Sequence, residues 1–474
     1  MSPLEIAIVG CGPVGCMLAR LLLLQEQSQI RVTVFEAETS PDYRAQGGTL
    51  DLHPNEGIAA LKAGRLFDQF VKFARYDGEA IRITDKHLKT FVSRPPSTNE
   101  GDSRGAPEID RFHLRRILTE SLPADVIRWG WRLLRVEQET GTGTHDCFPA
   151  HRLHFDRDRV LSGYHLVVGA DGAWSRVREA LAPFSSKENN GTEVSKPQYV
   201  GLAGFRFSIS DAEKTAPAAY KLVNRGSVFS FSDGRGITGQ QMSDGSIWVS
   251  ALGIRGEDWI KEQETKQQQL NGNQHTQDRH HVGAWYKEAL LSDYRDWHPE
   301  LRAFIEQGDE SASFLPLYSL PEGFSWSSKP GITAIGDAAH LMVPYAGQGV
   351  NIGLRDALEL SQAILSALAA DEGQGAATTN MLLCETLSRK IAAFEADMFN
   401  RSHAAQAASN GMMAAMLFTP GAPRSSIHTY LGWMAKRSLS PRLYPFVLGG
   451  LYVYFALWRL WDGAFGASPD LTSS

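Results

Sequence analysis

Cysteine is scarce in this chain, with four residues among 474, at positions 11, 16, 147 and 384. Their spacing matches neither the framework of a small disulfide-bonded domain nor the ligand pairs of a zinc site. The scarcity therefore excludes a fold held together by disulfides and predicts no bound metal. A reducing compartment suits such a chain best, and we expect a cytoplasmic location.

Positive charge is also in deficit. The chain has 47 lysine and arginine residues against 53 aspartate and glutamate residues, which gives a formal net charge of −6. Proteins that bind nucleic acid need a dense basic face, because the phosphates that they contact must be neutralised. The charge balance therefore predicts no nucleic-acid partner.

Long uninterrupted apolar runs are missing as well. At the N-terminus, Glu5 stands where a secretion signal would carry a basic flank, so we predict no signal peptide. The strongest apolar stretch, Phe446 to Trp458, is interrupted by Gly449 and Gly450 and is too short to cross a bilayer. We therefore predict no integral membrane span.

The C-terminal stretch from Tyr444 to Trp461, taken as a helix, is apolar almost all round. Such a helix is typical of burial, and we expect it to pack against the rest of the chain. A shallow peripheral contact with a membrane surface is the alternative. Arg459 is the only charge within the stretch, so the basic face of a surface-binding helix is not evident there.

What the chain does contain is ample apolar material for a core, since 43% of its residues are hydrophobic and 21% are charged. A chain of 474 residues predicts more than one domain. Residues 199–253 alternate apolar and polar residues between glycine turns, which predicts an antiparallel sheet. The predicted segments are 1–184 and 331–375 for a cofactor-binding domain, 185–330 for an inserted substrate domain, and 376–474 for a helical region.

A glycine motif opens the chain. The first apolar strand is followed by Gly10, Gly12 and Gly15, then by a helix and a second strand that ends at Glu36. This order is that of the βαβ unit that binds dinucleotides: a strand, a GxGxxG turn, a helix, and a second strand that ends in an acid. The glycines permit a tight turn close to a pyrophosphate, and the acid accepts hydrogen bonds from ribose hydroxyls. We predict a nucleotide site here, with a simple glycine turn as the alternative.

A second glycine-rich loop begins at Gly336, between a short apolar strand and a helical pattern. Gly347 and Gly349 remove side chains where the backbone has to pass close to a ligand, and the helix N-terminus offers partial positive charge. Asp337, at the end of the strand, can accept hydrogen bonds from sugar or ribityl hydroxyls. The loop therefore predicts a second ligand-binding segment.

Three motifs stand in a fixed order, namely Gly10 to Gly15 with Glu36, then Asp171-Gly172, then Gly336-Asp337. Because of these three motifs and their order, the chain resembles the FAD-dependent class A aromatic monooxygenases of the para-hydroxybenzoate hydroxylase type. Within that group, residues 47–53, residues 107–111 and the Gly336 loop are most similar to the tetracycline-destructase branch. The resemblance implies an α/β fold: a Rossmann-like FAD-binding domain with an inserted, mainly antiparallel β-sheet substrate domain and a C-terminal helical segment.

The resemblance also implies the cofactors FAD and NADPH. By this match Arg44 would meet NADPH, whereas Asp51, Arg111 and Asp337 would contact FAD. The full set of predicted cofactor-binding residues is Gly10, Gly12, Gly15, Glu36, Arg44, Asp51, Arg111, Asp171, Asp337, Gly347, Gly349 and Asn351.

The implied activity is the insertion of one oxygen atom from O₂ into an electron-rich polycyclic natural product in secondary metabolism. In such enzymes NADPH reduces FAD, and a hydroperoxide at flavin C4a delivers the oxygen atom in a hydroxylation or epoxidation. The sequence assigns no general base, and His53 and His340 are expected to be structural. Baeyer–Villiger oxygenation, a flavin oxidase or dehydrogenase, and a non-catalytic flavoprotein that binds a small molecule are the alternatives.

Aromatic residues of the predicted substrate domain suit a polycyclic, small-molecule substrate. Branch members that degrade tetracyclines carry a histidine where this chain has Trp248 and a glutamine where it has Lys221, so tetracycline is not the expected substrate. The predicted substrate-binding residues are Phe229, Phe231, Trp248, Phe314, Tyr318 and Pro344.

Overall fold

The computed structural model describes residues 3–24, 29–41, 47–97, 105–138, 151–182, 195–263, 265, 285–370, 376–440 and 442–465. The predicted NADPH contact Arg44 and the cysteine at position 147 lie outside these residues. The boundaries predicted at 185, 331 and 376 stay predictions.

Strands fall into a parallel sheet, a mixed sheet and two small antiparallel sheets. The strands are β1 Leu4–Val9, β2 Ile30–Glu36, β3 Thr49–Asp51, β4 Ile81–Thr84, β5 Thr90–Arg94, β6 Glu108–Asp110, β7 Ile127–Trp129, β8 Leu133–Gln138, β9 His151–Phe155, β10 Val160–Leu161, β11 Leu166–Gly169, β12 Gln198–Ile209, β13 Ser227–Ser232, β14 Arg235–Gln241, β15 Ile247–Ile254, β16 Ser313–Ser319 and β17 Ile332–Ala334.

Helices cover the sheets and form the C-terminal region. They are α1 Pro13–Leu23, α2 Gly57–Ala63, α3 Phe67–Val71, α4 Arg111–Glu120, α5 Arg176–Leu181, α6 Ala212–Thr215, α7 Pro217–Val223, α8 Trp285–Asp293, α9 Pro299–Glu306, α10 Asp337–His340, α11 Gly349–Ala369, α12 Ala376–Met413, α13 Ile427–Ser438 and α14 Tyr444–Phe465.

The parallel sheet has the strand order β17-β11-β1-β2-β7. From β1 the chain continues to β2 on one side, whereas β11 and β17 later pair on the other side. The sheet therefore has its topological switch point at β1, where open α/β sheets bind ligands beyond the carboxyl ends of the strands. Ile6, Ala7 and Ile8 are fully buried, as expected of a parallel strand covered on both faces.

The mixed sheet has the order β16-β12-β15-β14-β13-β4-β5 and is antiparallel except where β13 meets β4. Phe205 and Phe207 on β12 pack with α8 and α9 on one face of this sheet. Arg206 lies between them in sequence and therefore points to the opposite face. The predicted fold class is confirmed, although β4 and β5 join this sheet from well before residue 185.

The C-terminal helix α14 packs against the rest of the chain, as the sequence predicted, but with one face only. Phe455 and Trp458 are buried in an apolar cluster that also contains Met416 and Ile427. The opposite face of α14 is exposed, with Phe446 and Leu460 among its residues. Of the helices in the described part of the chain, none has the length and apolarity that crossing a bilayer needs.

Candidate functional site

Four predicted site segments converge at one edge of the parallel sheet. The glycine loop follows β1, Glu36 ends β2, Asp171 follows β11, and Asp337 follows β17. Because these strands are parallel neighbours, their carboxyl ends lie side by side. The fold thus brings together residues more than three hundred positions apart in sequence.

Close backbone contacts show which glycines of the loop are required by the fold. A Cβ atom at Gly10 would lie 2.2 Å from the carbonyl oxygen of Ala170, and the φ of Gly10 is +106°. A Cβ atom at Gly15 would lie 2.1 Å from the carbonyl oxygen of Gly10. At Gly12, by contrast, no atom of the described residues lies within 4 Å of such a Cβ. Gly10 and Gly15 are therefore required by the fold itself, whereas Gly12 borders open space at the N-terminus of α1.

Glu36 connects the two ends of the βαβ unit. Its Oε2 accepts a hydrogen bond from the Cys11 N–H at 2.7 Å, and its Oε1 accepts one from the Glu38 N–H at 2.9 Å. Glu38 in turn pairs with Arg115 of α4 at 2.5 Å. Among the described residues, Nε and Nη1 of Arg115 are buried and have no hydrogen-bond partner. Donors in this position suit an anionic ligand next to the glycine loop.

The Gly336 loop is held by a buried ionic network. Gly336 has a φ of +63°, and its N–H donates to Oδ2 of Asp356 at 3.1 Å. The same oxygen lies 2.6 Å from His340 Nε2, and Arg401 Nη2 donates to Oδ1 of Asp356 at 3.2 Å. Burial lowers the pKa of His340, but the Asp356 carboxylate outweighs it, so the net pKa is raised. His340 is structural here, in agreement with the expectation from sequence.

Asp337 itself is exposed beside this network. A Cβ atom at Gly349, the first residue of α11, would lie 3.8 Å from its Oδ1. The N–H groups of the first turn of α11 have no partner within the helix, because an α-helix leaves its first donors unpaired. A carboxylate acceptor and a row of donors therefore face the same space.

The segment after β3 is tied to the N-terminus of α11 by Asn351, which is fully buried. Its Oδ1 accepts from the His53 N–H at 2.8 Å, and its Nδ2 donates to the carbonyl oxygen of Asp51 at 2.8 Å. The side chain of Asn351 is thus used by the protein, and only its backbone N–H is left to face a ligand. A Cβ atom at Gly347 would lie 3.5 Å from Oδ1 of Asp51, so that carboxylate borders the loop.

His53 lies between two carboxylates, with Nε2 3.2 Å from Asp51 and Nδ1 2.9 Å from Glu56. Burial lowers its pKa, but the hydrogen bonds to Asp51 and Glu56 dominate and raise the pKa to about 9. His53 is therefore protonated near neutral pH and balances the acids around it. A protonated histidine cannot act as a general base.

One carboxylate oxygen of Asp171 accepts a hydrogen bond at the start of α5, and the other has no partner among the described residues. Its Oδ2 accepts from the N–H of Arg176 at 2.8 Å, at the start of α5. Its Oδ1 is buried without a partner among the described residues. The orphaned oxygen lies at the same edge as the glycine loop and the Gly336 loop, and a ligand hydroxyl could satisfy it.

A cationic and aromatic cluster joins this edge to the mixed sheet. The indole of Trp248 lies against Gly47 and Gly48, where Cβ atoms would meet it at 2.4 and 3.2 Å, and Arg111 Nε would lie 3.7 Å from the Cβ at Gly48. Arg111 retains exposed surface, yet protein atoms desolvate its guanidinium and lower its pKa, an effect that the Asp337 carboxylate opposes. The cluster therefore spans Asp337, Arg111 and Trp248.

Arg206 belongs to the same cluster and was not among the predicted site residues. Its guanidinium lies 6.0 Å from the ring centre of Trp248. Burial, followed by the charge of Arg111, lowers its pKa to about 10. Its Nε is buried and has no partner among the described residues. The signal in the sequence was an arginine between two phenylalanines of an alternating strand, which indicates that a charge occupies the face opposite the core.

The predicted substrate aromatics do not lie together, and Trp248 belongs to the cationic cluster described above. Phe231 is buried, and Phe229 packs beside it, in the apolar cluster that includes Val343 and Ala346 of the Gly336 loop. Pro344 is exposed between those two residues.

The remaining two aromatics lie away from this cluster. Phe314 lies on the opposite face of the mixed sheet, 6.1 Å from Phe205 and 6.3 Å from Trp259 between ring centres. Tyr318 packs against Trp174 and donates a hydrogen bond to Glu257 at 2.8 Å. The structure therefore places Phe229 beside the Gly336 loop that contains Pro344, Trp248 beside Gly47 and Gly48, and Phe314 on the opposite face of the mixed sheet.

Three independent observations on the described residues fit FAD. There is open space at Gly12, and the described chain offers no partner to the buried donors of Arg115 or to the buried oxygen of Asp171. A dinucleotide offers a pyrophosphate, ribose hydroxyls and a polar ring, which match donors and acceptors of this kind.

Comparisons with known proteins agree with FAD as the cofactor. A model of the FAD binding domain family matches residues 328–382, the segment that contains the Gly336 loop and α11. The monooxygenase asqM of Emericella nidulans is 26% identical over 440 residues, covering 85% of this chain and 93% of that protein. The salicylate hydroxylase substrate complex superposes with a TM-score of 0.64 at 17% identity, covering 95% of this chain and 97% of that one.

A second solved structure, tetracycline destructase Tet(51), superposes with a TM-score of 0.57 at 16% identity, over 92% of this chain and 96% of that one. At these identities the likeness to solved structures shows a shared fold. The predicted cofactor FAD is confirmed by the family match.

Proposed function

Because this chain is an FAD-dependent flavoprotein monooxygenase, we propose that it uses NADPH and O₂ to insert one oxygen atom into an electron-rich polycyclic natural product. The predicted resemblance to class A FAD monooxygenases is confirmed by the family match, the relatives and the fold. The observation that carries the proposal is the convergence of four strand-end segments at one edge, next to the cluster of Arg111, Trp248 and Arg206.

The proposed roles follow from position. The open side of Gly12 and the N-terminus of α1 would hold the pyrophosphate, and Glu36 with Arg115 would meet the ribose and phosphate groups. Asp337 would accept from the ribityl hydroxyls, and the first turn of α11 would stabilise negative charge on the flavin ring. When bound, FAD reduced by NADPH supplies the activation of O₂ and the oxygen atom that is transferred.

NADPH as the reductant is typical of this family. The assignment of its contact to Arg44 rests on the resemblance alone and stays a prediction.

We assign the substrate to the face of the mixed sheet that carries Arg206 and Trp248. An indole beside two arginines suits a planar ring with an ionised or strongly polarised oxygen, because a guanidinium both pairs with anions and stacks on aromatic rings. Oxygen transfer requires an electron-rich ring, and an ionised hydroxyl makes a ring more electron-rich. The salicylate hydroxylase with the same fold is named for an aromatic acid of this kind.

The substrate class is tested by a screen of phenolic and enolic polycyclic compounds with the purified, FAD-loaded protein. The expected result is NADPH consumption that depends on the compound, together with a product heavier by one oxygen atom. A compound that binds without accelerating NADPH consumption would favour a small-molecule-binding flavoprotein. Dehydrogenated products without added oxygen would favour an oxidase.

Asp337→Ala should weaken FAD binding by about 5- to 150-fold, which corresponds to about 1–3 kcal/mol for donors left without an acceptor. FAD affinity is measured by titration of the FAD-free protein and flavin fluorescence. The matched control is Asp68→Ala, which removes an exposed aspartate of α3 away from the site and should leave the affinity unchanged. Equal affinity in the Asp337 variant and the wild type would remove Asp337 from the cofactor site.

Arg206→Met should raise the KM for an acidic phenolic substrate about tenfold or more while leaving FAD content unchanged. The thermal stability should stay the same or rise, because the change removes a buried donor that has no partner in the described structure.

The matched control for this variant is Arg82→Gln, which alters a half-buried arginine on β4 of the same sheet and should leave KM unchanged. For the O-methyl ether of the substrate, the wild type and Arg206→Met should have the same KM. A clear loss of stability with an unchanged KM would make Arg206 a structural residue.

A further inference from the structure

The C-terminal helix α14 has one covered face and one bare face. Its covered residues include Phe455 and Trp458, which are 3% and 8% exposed. On the bare face Phe446, Leu457 and Leu460 are 80%, 62% and 71% exposed. The steps of 11 and 3 residues between these positions place them on a single stripe of an α-helix.

This bare stripe is not covered by any other part of the described chain. Cβ atoms at Gly449 and Gly450 would meet no atom within 4 Å, so the space above the start of the helix is open. Val453, between the glycines and Leu457, is 61% exposed. Large contiguous apolar surfaces are uncommon on monomeric proteins and mark interaction sites.

The charge around this helix differs from that of the whole chain. Residues 398–461 contain six lysines and arginines and no aspartate or glutamate, although the chain as a whole carries a formal charge of −6. Lys436 and Arg442 are exposed at the turn between α13 and α14. Lys89 and Arg424 lie 4.6 and 5.8 Å from the ring centre of Trp458, on the covered face of the helix. The bare stripe therefore has a basic rim at its N-terminal end, formed by Lys436 and Arg442.

The composition of the stripe also suits a boundary between water and lipid. Tyr452, Tyr454 and Trp461 are exposed on the helix, and side chains of this type prefer the headgroup level of a bilayer. An apolar helix face with basic residues beside it lies in the interface plane and gains both apolar burial and attraction to anionic headgroups.

We propose that the bare face of α14 and its basic rim form a peripheral docking surface for an anionic lipid membrane. A second copy of the chain is the competing occupant, but it would bring two basic rims together with no acid in residues 398–461 to pair with them. The inference goes beyond the proposed oxygenase function and does not depend on it.

The test is co-sedimentation of the FAD-loaded full chain with vesicles of phosphatidylcholine, alone or mixed with phosphatidylserine. The protein should bind the mixed vesicles, and added salt should weaken the binding. The triple variant Phe446→Ser, Leu457→Ser and Leu460→Ser should bind about tenfold less while keeping its FAD content and solubility.

Two matched controls separate the apolar and the ionic contributions. Met381→Ser and Val160→Ser alter exposed apolar residues elsewhere and should leave vesicle binding unchanged. Lys436→Gln with Arg442→Gln should reduce binding to the mixed vesicles severalfold. The proposal is overturned if the wild type stays in the supernatant with both vesicles. It is also overturned if sedimentation velocity shows a dimer that the triple variant dissociates.

Discussion

Asp356→Ala should lower the free energy of unfolding by about 3–5 kcal/mol and abolish FAD retention, because it removes a fully buried carboxylate that pairs with His340 and Arg401. The Arg401 guanidinium would lose one of its two acids, and the N–H of Gly336 would lose its acceptor. Since Gly336 precedes Asp337, loss of this anchor also displaces the cofactor loop. The measurement is the denaturant midpoint together with the flavin content of the purified protein.

The matched control for that variant is Glu359→Ala. Glu359 pairs with the same arginine at 2.6 Å, but it is partly exposed, so its loss should cost about 1 kcal/mol or less. Equal losses in the two variants would contradict the central position of Asp356 in the network.

The stability difference between wild type and Asp356→Ala should depend on pH. The folded pKa of His340 is raised above its ordinary 6.5 by the Asp356 carboxylate. The His340–Asp356 contribution is therefore fully present below about pH 6.5 and is lost as the pH rises through the raised folded value. The difference between the two proteins should shrink over that range.

Gly12→Ala should weaken FAD binding by about 10- to 100-fold, or about 1.4–2.8 kcal/mol, without changing the stability of the FAD-free protein. Gly12 has φ −75° and ψ 177°, which any residue adopts, and no atom of the described chain meets its added Cβ. The methyl group would instead enter the space that we assign to the pyrophosphate. FAD titration and thermal unfolding of the FAD-free protein measure the two effects separately.

Gly15→Ala is the contrasting variant, because its Cβ would lie 2.1 Å from a backbone oxygen. Such a clash should destabilise the protein itself by about 1–3 kcal/mol or more. If Gly12→Ala binds FAD as well as the wild type does, the pyrophosphate does not lie above Gly12 and the proposed orientation of the cofactor is wrong.

The positions of both glycine loops could be predicted from sequence, because strand, glycine turn and helix are local patterns. Their meeting at one ligand was implied only by the family resemblance, because no local pattern shows that β17 and β1 belong to the same parallel sheet. The contact of Arg206 with the Arg111 and Trp248 cluster could not be predicted in this way. It depends on how the mixed sheet docks on the parallel sheet, and no local pattern encodes that.

The network of Asp356, His340 and Arg401 was missed for a related reason. Its members lie on three different helices, so their contact depends on tertiary packing. The bare face of α14 could not be predicted for another reason. Average apolarity indicates that a helix avoids water, but it does not tell whether protein or another apolar phase covers each face.

The pairing of β17 with β11 determines when the enzyme becomes complete during its synthesis. The parallel sheet takes β1 from residues 4–9, β11 from residues 166–169 and β17 from residues 332–334. Asp337 and the helix that begins at Gly349 are therefore added to the cofactor edge only after β12 to β16 have left the ribosome. Contacts of such sequence separation form late, since closing the long intervening loop costs entropy first. A nascent chain therefore cannot complete its cofactor edge until β17 and the helix that begins at Gly349 have been synthesised.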